Sequence, residues 1–453
     1  MTIASDLKCD CEILEKIIMQ ILFDPGMIKN LLNSPTKKRL IENFCSLSIL
    51  QVLDYFLPLI TLPYLVRILG PEKFGLIAFA QSLIVYFLVL TNYGFNLSAT
   101  REISINREKE EKVSEIFSSV MIIKFLFGVL SFVILILMLF FIPKFGSNWL
   151  IYIFSFGIIL GNILFPVWFF QGMEKMKYIT IVNIVAKTFF TICIFIFIKE
   201  MNDYLYVPLI NSLGYLVAGG VSLIIVFKNF KLKFILPTIK TIKYQLKEGW
   251  HIFISTAAVT LYTTSNTFIL GIFTNNTIVG YYSAGEKIVK AAQKLLVPIS
   301  QTVYPYISKL ASESKERALG FIRKLTKIVG IGSFIVSFFI FIFASPIVNI
   351  ILGEQYQQSV IVLKILAFLP FIITLSNVFG TQTMINFNLK KDLSRILISA
   401  GILNIILSLS LTPFYKHIGI SISCLITEIF VTLSLLFYLN RKGIKVFNNF
   451  FKV

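Results

Sequence analysis

A chain of 453 residues that is 56% hydrophobic, only 14% charged and of mean hydropathy +0.82 is too apolar for a water-soluble fold, where about 45–50% apolar and roughly 25% charged residues are usual. The net charge of +19 could suggest a nucleic-acid partner, but the basic residues fall between apolar segments and read as membrane topology. Each crossing needs about 20 apolar residues, and lipid offers no partner to free backbone groups. The composition therefore predicts an all-α integral membrane protein in the lipid bilayer, with no nucleic acid bound.

Residues 1–43 read as a polar, cytoplasmic N-terminal extension, with a short amphipathic helix around residues 11–23 and a basic cluster at Lys37, Lys38 and Arg39. About twelve apolar segments follow, at 45–66, 75–97, 118–142, 149–170, 178–198, 204–227, 250–273, 279–305, 328–352, 359–385, 393–413 and 418–439. Short connections at 143–147, 200–203 and 274–277 set neighbours antiparallel. The longest basic connection, 228–249, is expected to be a cytoplasmic linker between an N-lobe of six helices (44–227) and a C-lobe of six (250–441), with a cytoplasmic tail at 442–453. An even number of crossings gives the halves one orientation, as pseudo-symmetric repeats about an axis along the membrane normal. The stretch from Phe74 to Gln81 opens the second segment much as Val279 to Glu286 opens the eighth.

Alternate connections hold 31 and 5 Lys or Arg residues, the smaller set being Arg67, Lys73, Lys144, Lys199 and Lys416. Basic loops are retained in the cytoplasm, so both termini are expected there. Trp149, Trp168 and Trp250 near segment ends read as interfacial anchors, and His251 and His417 as interfacial residues. Cys9, Cys11, Cys45, Cys193 and Cys424 are too scattered for a disulfide framework or a zinc site.

Charge inside the hydrocarbon is costly and usually faces a cavity or a partner. The intramembrane set is Asp54, Lys124, Lys187, Glu286, Lys287, Lys290, Lys294, Lys364 and Glu428, six cations against three acids. In the eighth segment Glu286, Lys290, Gln293, Lys294 and Gln301 recur near the helical repeat, which places a polar stripe on one face. Glu286 precedes Lys290 by four residues, the favourable order for an ion pair. Lys187, in mid-segment, is the stronger candidate for an anion-binding group. Lys124, Lys287 and Lys364 lie nearer segment ends, where a lysine either faces a lumen or snorkels to the interface. Asp54 sits near Pro58 and Pro63, which favour a bend; such a carboxylate either couples protonation to movement or makes a static hydrogen bond. Glu428 is similar. There is no Walker-type phosphate loop, no His-Glu-x-x-His and no Gly-x-Ser-x-Gly, so the chain is read as a transporter and not an enzyme, with no cofactor and no metal.

Several stretches resemble a known family: residues 62–75 (LPYLVRILGPEKFG), 94–102 (GFNLSATRE), 166–175 (PVWFFQGMEK) and 279–287 (VGYYSAGEK), with Tyr304-Pro305 beyond. Together they are similar to the Wzx-type lipid-linked oligosaccharide flippases of bacterial O-antigen and capsule (lipopolysaccharide and polysaccharide) biosynthesis, in the superfamily of the MATE multidrug exporters. The resemblance runs from about Lys38 to the C-terminus. It implies a MATE-like fold whose central cavity opens alternately to each side of the bacterial inner membrane. It implies an undecaprenyl-diphosphate-linked oligosaccharide as substrate, received by Lys124, Lys187, Lys287, Lys290 and Lys294, with Asp54, Glu286 and Glu428 coupling an ion. As partners it implies polysaccharide polymerase and chain-length regulator proteins. A cation-coupled multidrug exporter of the sister branch and a membrane-embedded polymerase or ligase are the competing expectations.

Overall fold

The computed structural model describes residues 35–230 and 232–446. The side chains of residues 35–49 and of Asp54 lie outside the described set, as do the amphipathic stretch at 11–23 and most of the tail.

Among the described residues the chain is helical, and eight helices are long and apolar enough to cross a membrane. Two of these contain a reversal. Helix α1 (Pro35–Asn92) has 58 residues, which as a straight rod would run roughly 87 Å against a hydrocarbon core of about 30 Å. It turns instead at Gly70, whose φ of 66° lies in the left-handed region that glycine enters without penalty. Leu50, before the turn, consequently packs into the same apolar cluster as Tyr93 and Phe95 after it.

The N-terminal half continues through α2 (Phe95–Asn106), α3 (Glu110–Phe141), α4 (Trp149–Leu164), α5 (Val167–Gly172), α6 (Met176–Phe197) and α7 (Tyr206–Asn229). The C-terminal half holds α8 (Ile239–Phe273), α9 (Asn276–Lys294), α10 (Val297–Glu313), α11 (Lys315–Ile342), α12 (Ala344–Ile351), α13 (Ser359–Leu366) and α14 (Leu369–Asn377). A π turn (Val378–Ile385) and α15 (Lys390–Arg441) complete it. Helix α15 reverses at Lys416, so that Asn404 of one arm donates to Thr427 Oγ1 of the other at 3.2 Å. With both reversals the eight spans make ten crossings. Segments 250–273 and 279–305, which carry polar residues such as Asn266, Glu286 and Lys290, are the two expected segments outside these spans. The fold is all-α and twelve-segmented, in two six-helix lobes.

Breaks within segments fall where prolines remove backbone donors. The fourth segment breaks at Phe165–Pro166, and the eighth at Leu295–Leu296 with Pro298 in the first turn of α10. The basic linker is only partly a loop, since α8 begins at Ile239, where Thr238 caps the helix by accepting from the Thr241 amide at 3.2 Å. Residues 233–235 run along α3, the amides of Lys233 and Ile235 donating to the Ser114 and Ser118 hydroxyls at 3.3 and 3.0 Å.

Two interfacial readings are corrected. Trp168 is fully buried against Phe117 and Phe169, unlike the half-exposed Trp149 and Trp250. His417 is likewise buried, beneath Tyr281. The apolar outer surface, with Phe140, Ile328 and Phe437 more than two-thirds exposed, would be untenable in water and suits lipid.

Candidate functional site

The two lobes touch most closely at the end of the bundle that holds Gly70. There α1 and α9 cross backbone to backbone. A Cβ on Gly75 would stand 1.8 Å from the Asn276 carbonyl oxygen, and one on Gly280 would stand 1.9 Å from that of Pro71. The two pairs are related by one and the same shift along the chain, so the repeats meet reciprocally, as they would about a two-fold axis. Around this crossing Lys144 donates to the Ile272 and Thr274 carbonyls at 2.9 and 2.6 Å. Gln355 donates to those of Val66 and Arg67 at 3.2 and 3.0 Å, and Arg67 donates to Ile350. These bonds tie lobe to lobe and seal this end.

Away from the seal lie four neighbouring cavities, two lined by both lobes and two by the C-lobe alone. The largest, about 310 Å3, is lined by Leu57, Pro58 and Thr61 of α1, by Asn183, Lys187 and Thr191 of α6, by Asn211 and Tyr215 of α7, and by Lys294 of α9. A second, about 240 Å3, shares Pro58, Thr61 and Lys294 and adds Lys287 and Lys290. The Lys287 ammonium sits 4.5 Å above the Phe74 ring, a cation–π contact across the lobes. A third, about 110 Å3, is lined by Glu286, Lys290, Gln293, Asn404, Thr427 and Glu428. Glu286 pairs with Lys290 at 2.9 Å and accepts from the Tyr282 hydroxyl at 3.2 Å. The Glu428 carboxylate has no ion pair or hydrogen bond among the described residues, and the Asn404 side-chain oxygen is buried without a partner. The fourth, about 270 Å3, lies between α10, α11 and α14.

Of the residues singled out by sequence, Lys187, Lys287, Lys290, Lys294, Glu286 and Glu428 thus line three adjoining cavities that share lining residues. Lys124 does not. It is 1% exposed inside the N-lobe and donates to the Asn162 carbonyl at 3.0 Å. That carbonyl would ordinarily receive the amide of residue 166, which is a proline and has none. The ammonium supplies the missing donor at the C-terminal end of α4, where a positive charge is also favoured by the helix dipole. Lys364 is exposed and lines none of the four cavities. The Asp54 side chain lies outside the described residues.

A model of the family described as "Polysaccharide biosynthesis protein" matches residues 40–311. A protein of Escherichia coli (strain K12) named "Putative O-antigen transporter" is 38% identical over 408 residues, 90% of this chain and 98% of that protein. The chain belongs to the polysaccharide biosynthesis protein family. It shares its fold with solved transporters. A structure titled "Lipid II flippase MurJ, inward closed conformation" superposes with a TM-score of 0.67 at 17% identity, covering 88% of this chain and 87% of that one. One titled "Inward-facing conformation of a multidrug resistance MATE family transporter of the MOP superfamily" gives 0.66 at 15% identity over 87% and 98%. The member of the polysaccharide biosynthesis family described here is therefore a multi-pass membrane transporter on a MATE-like fold, and not a catalyst.

Asn183, Asn211 and Tyr215, which share the largest cavity with Lys187, carry no charge and sit singly in apolar helices, so nothing in the sequence distinguished them. The wall formed by α14 and the π turn carried only a weak signal. Its signal was the run of Thr374, Asn377, Thr381 and Gln382 at near-helical spacing in an otherwise apolar segment.

Proposed function

We propose that this chain translocates an undecaprenyl-diphosphate-linked oligosaccharide from the cytoplasmic to the periplasmic leaflet of the bacterial inner membrane. The observation that carries this reading is that Lys187 of one lobe and Lys294 of the other line a single cavity, with Lys287 and Lys290 in the next. A diphosphate placed between them draws the lobes together. Opposite charges about 4 Å apart attract by ~4 kcal/mol at an effective dielectric of about 20, against ~1 in bulk water. The basic end of the bundle is taken as cytoplasmic on the positive-inside rule, with both termini on that side. The sealed end around Gly75 and Gly280 is then periplasmic, and the protein faces inward, ready to load.

Return of the empty carrier is assigned to an ion taken up at Glu428 and Glu286, with Asp54 as a further candidate. A carboxylate that gains a proton or a monovalent cation loses the cost of facing a closed cavity, which allows the lobes to close over it. Polysaccharide polymerase and chain-length regulator proteins are the partners this activity calls for. The name of the E. coli relative supports the substrate class, and the excess of lysines over carboxylates along the seam favours an anionic cargo over the cationic drugs of the sister branch. The test is reconstitution in liposomes with a labelled lipid-linked oligosaccharide. Leaflet transfer that responds to an imposed proton or sodium gradient, and loses that response in Glu428→Gln, is expected. Drug efflux without lipid transfer would refute the assignment.

A further inference from the structure

The cavity of about 270 Å3 in the C-lobe differs chemically from its three neighbours. Its polar wall consists of Gln293, Ser300, Gln301, Thr374, Asn377, Thr381 and Gln382, and none of the side chains lining it is charged. Gln293 lines the carboxylate-bearing cavity as well, so the two share a wall.

The wall is partly fixed and partly unengaged. Ser300 Oγ lies 2.6 Å from Asn377 Oδ1, and the Gln382 amide donates to the Ser300 carbonyl and hydroxyl at 2.9 and 2.8 Å. These bonds hold α10 against the π turn, a departure from the α-helix that recurs at functional sites. Three hydrogen-bonding groups are then left over. Gln382 is 1% exposed, and its Oε1 has no partner. The Gln293 amide and the Thr381 hydroxyl, which line the same cavity, make no hydrogen bond to any described residue. A buried acceptor without a partner is rare and calls for a ligand or water.

The remaining lining is aliphatic, including Leu296, Val297, Val329 and Ile373. A phosphate would demand a cation, and a polyprenyl chain would leave three amide or hydroxyl groups unsatisfied. A sugar satisfies both halves of the lining, since its hydroxyls donate and accept while its C–H faces pack on aliphatic carbon. We propose that this C-lobe cavity is a saccharide pocket, receiving an uncharged sugar of the repeat unit while the lysines along the seam hold the diphosphate. The proposal rests on the flippase reading and assigns it a second, separable binding surface that governs which repeat unit is accepted.

The test compares two lipids on the full-length protein in detergent, with affinities read by native mass spectrometry or microscale thermophoresis. One is the lipid-linked repeat unit extracted from the native host, the other undecaprenyl diphosphate without sugar. The variant is Gln293→Leu with Thr381→Val, which keeps side-chain volume, and its thermal unfolding is measured alongside. The expected result is about tenfold weaker binding of the saccharide-bearing lipid, from the loss of two hydrogen bonds, with unchanged binding of undecaprenyl diphosphate and unchanged melting. Equal weakening of both lipids, no weakening of either, or equal affinity of the unmodified protein for both would overturn the saccharide pocket and leave the diphosphate site standing. Failure of the unmodified protein to bind either lipid would overturn the flippase reading itself.

Discussion

The two ends of this bundle are built differently. At the end around Gly70 a single apolar cluster runs through both lobes, from Leu62 and Phe79 to Tyr282, Leu352 and Ile420. At the basic end the core divides in two. One cluster, centred on Phe95, Phe117 and Trp168, belongs to the N-lobe together with the start of α8; the other, around Ile322, Phe379 and Leu435, belongs to the C-lobe. The lobes are thus joined by a shared core at one end and divided between separate cores at the other. Helix α1, whose second arm is the second segment of the sequence, and α9, the first part of the eighth, serve both ends, since their glycines form the crossing and the polar residues of α9 line the opening.

The largest effect should come from filling that crossing. Gly280→Leu places atoms where the Pro71 carbonyl stands, so the seal cannot form. Thermal unfolding should show a loss of more than about 3 kcal/mol and transport should cease, whereas a melting temperature like that of the unmodified protein would show the crossing to be dispensable. A sharper version uses the reciprocity of the contact. Gly75→Ala and Gly280→Ala should destabilise by similar amounts, about 1–3 kcal/mol each, and a large disparity would break the two-fold relation.

The next effect separates two lysines that the sequence offered together as substrate-binding candidates. Lys124→Met leaves the Asn162 carbonyl without a donor and should cost about 1–3 kcal/mol, while lipid affinity per folded molecule stays the same. Lys187→Met should do the reverse, lowering lipid affinity with little change in melting. The same result for both would erase the distinction between the strut and the cavity wall. The smallest effect distinguishes the two ends directly. Lys144→Met removes two lobe-to-lobe bonds at the seal and should cost ~1–2 kcal/mol. Gln51→Ala removes the exposed bond to Gln301 at 3.2 Å nearer the open end and should stay within about 0.5 kcal/mol. Thermal unfolding of the pair orders them.

Much of this was legible in the sequence, for a physical reason. Hydrocarbon imposes span length and penalises charge so strongly that twelve segments and the stripe Glu286, Lys290, Lys294 stand out against it. The likeness between residues 74–81 and 279–286 marked the very helices that cross at Gly75 and Gly280. What stayed hidden depended on partners distant in the chain. Lys124, nearer a segment end than Lys187, could face a lumen or snorkel until Pro166 is seen to leave Asn162 without an amide. Trp168 sits at a segment end like Trp149, but it lies beside the proline break and turns into the lobe. The neutral residues of α14 carry no charge to betray them, and only the fold brings them opposite Ser300.

Transport as proposed depends on Lys187 and Lys294, which line one cavity from opposite lobes. Leaflet transfer of a labelled lipid-linked oligosaccharide in liposomes, comparing the unmodified protein with a Lys187→Ala, Lys294→Ala variant incorporated at equal density, tests this most directly. A fall in rate of at least about tenfold with unchanged folding is expected from two lost charge contacts. An undiminished rate would contradict the account.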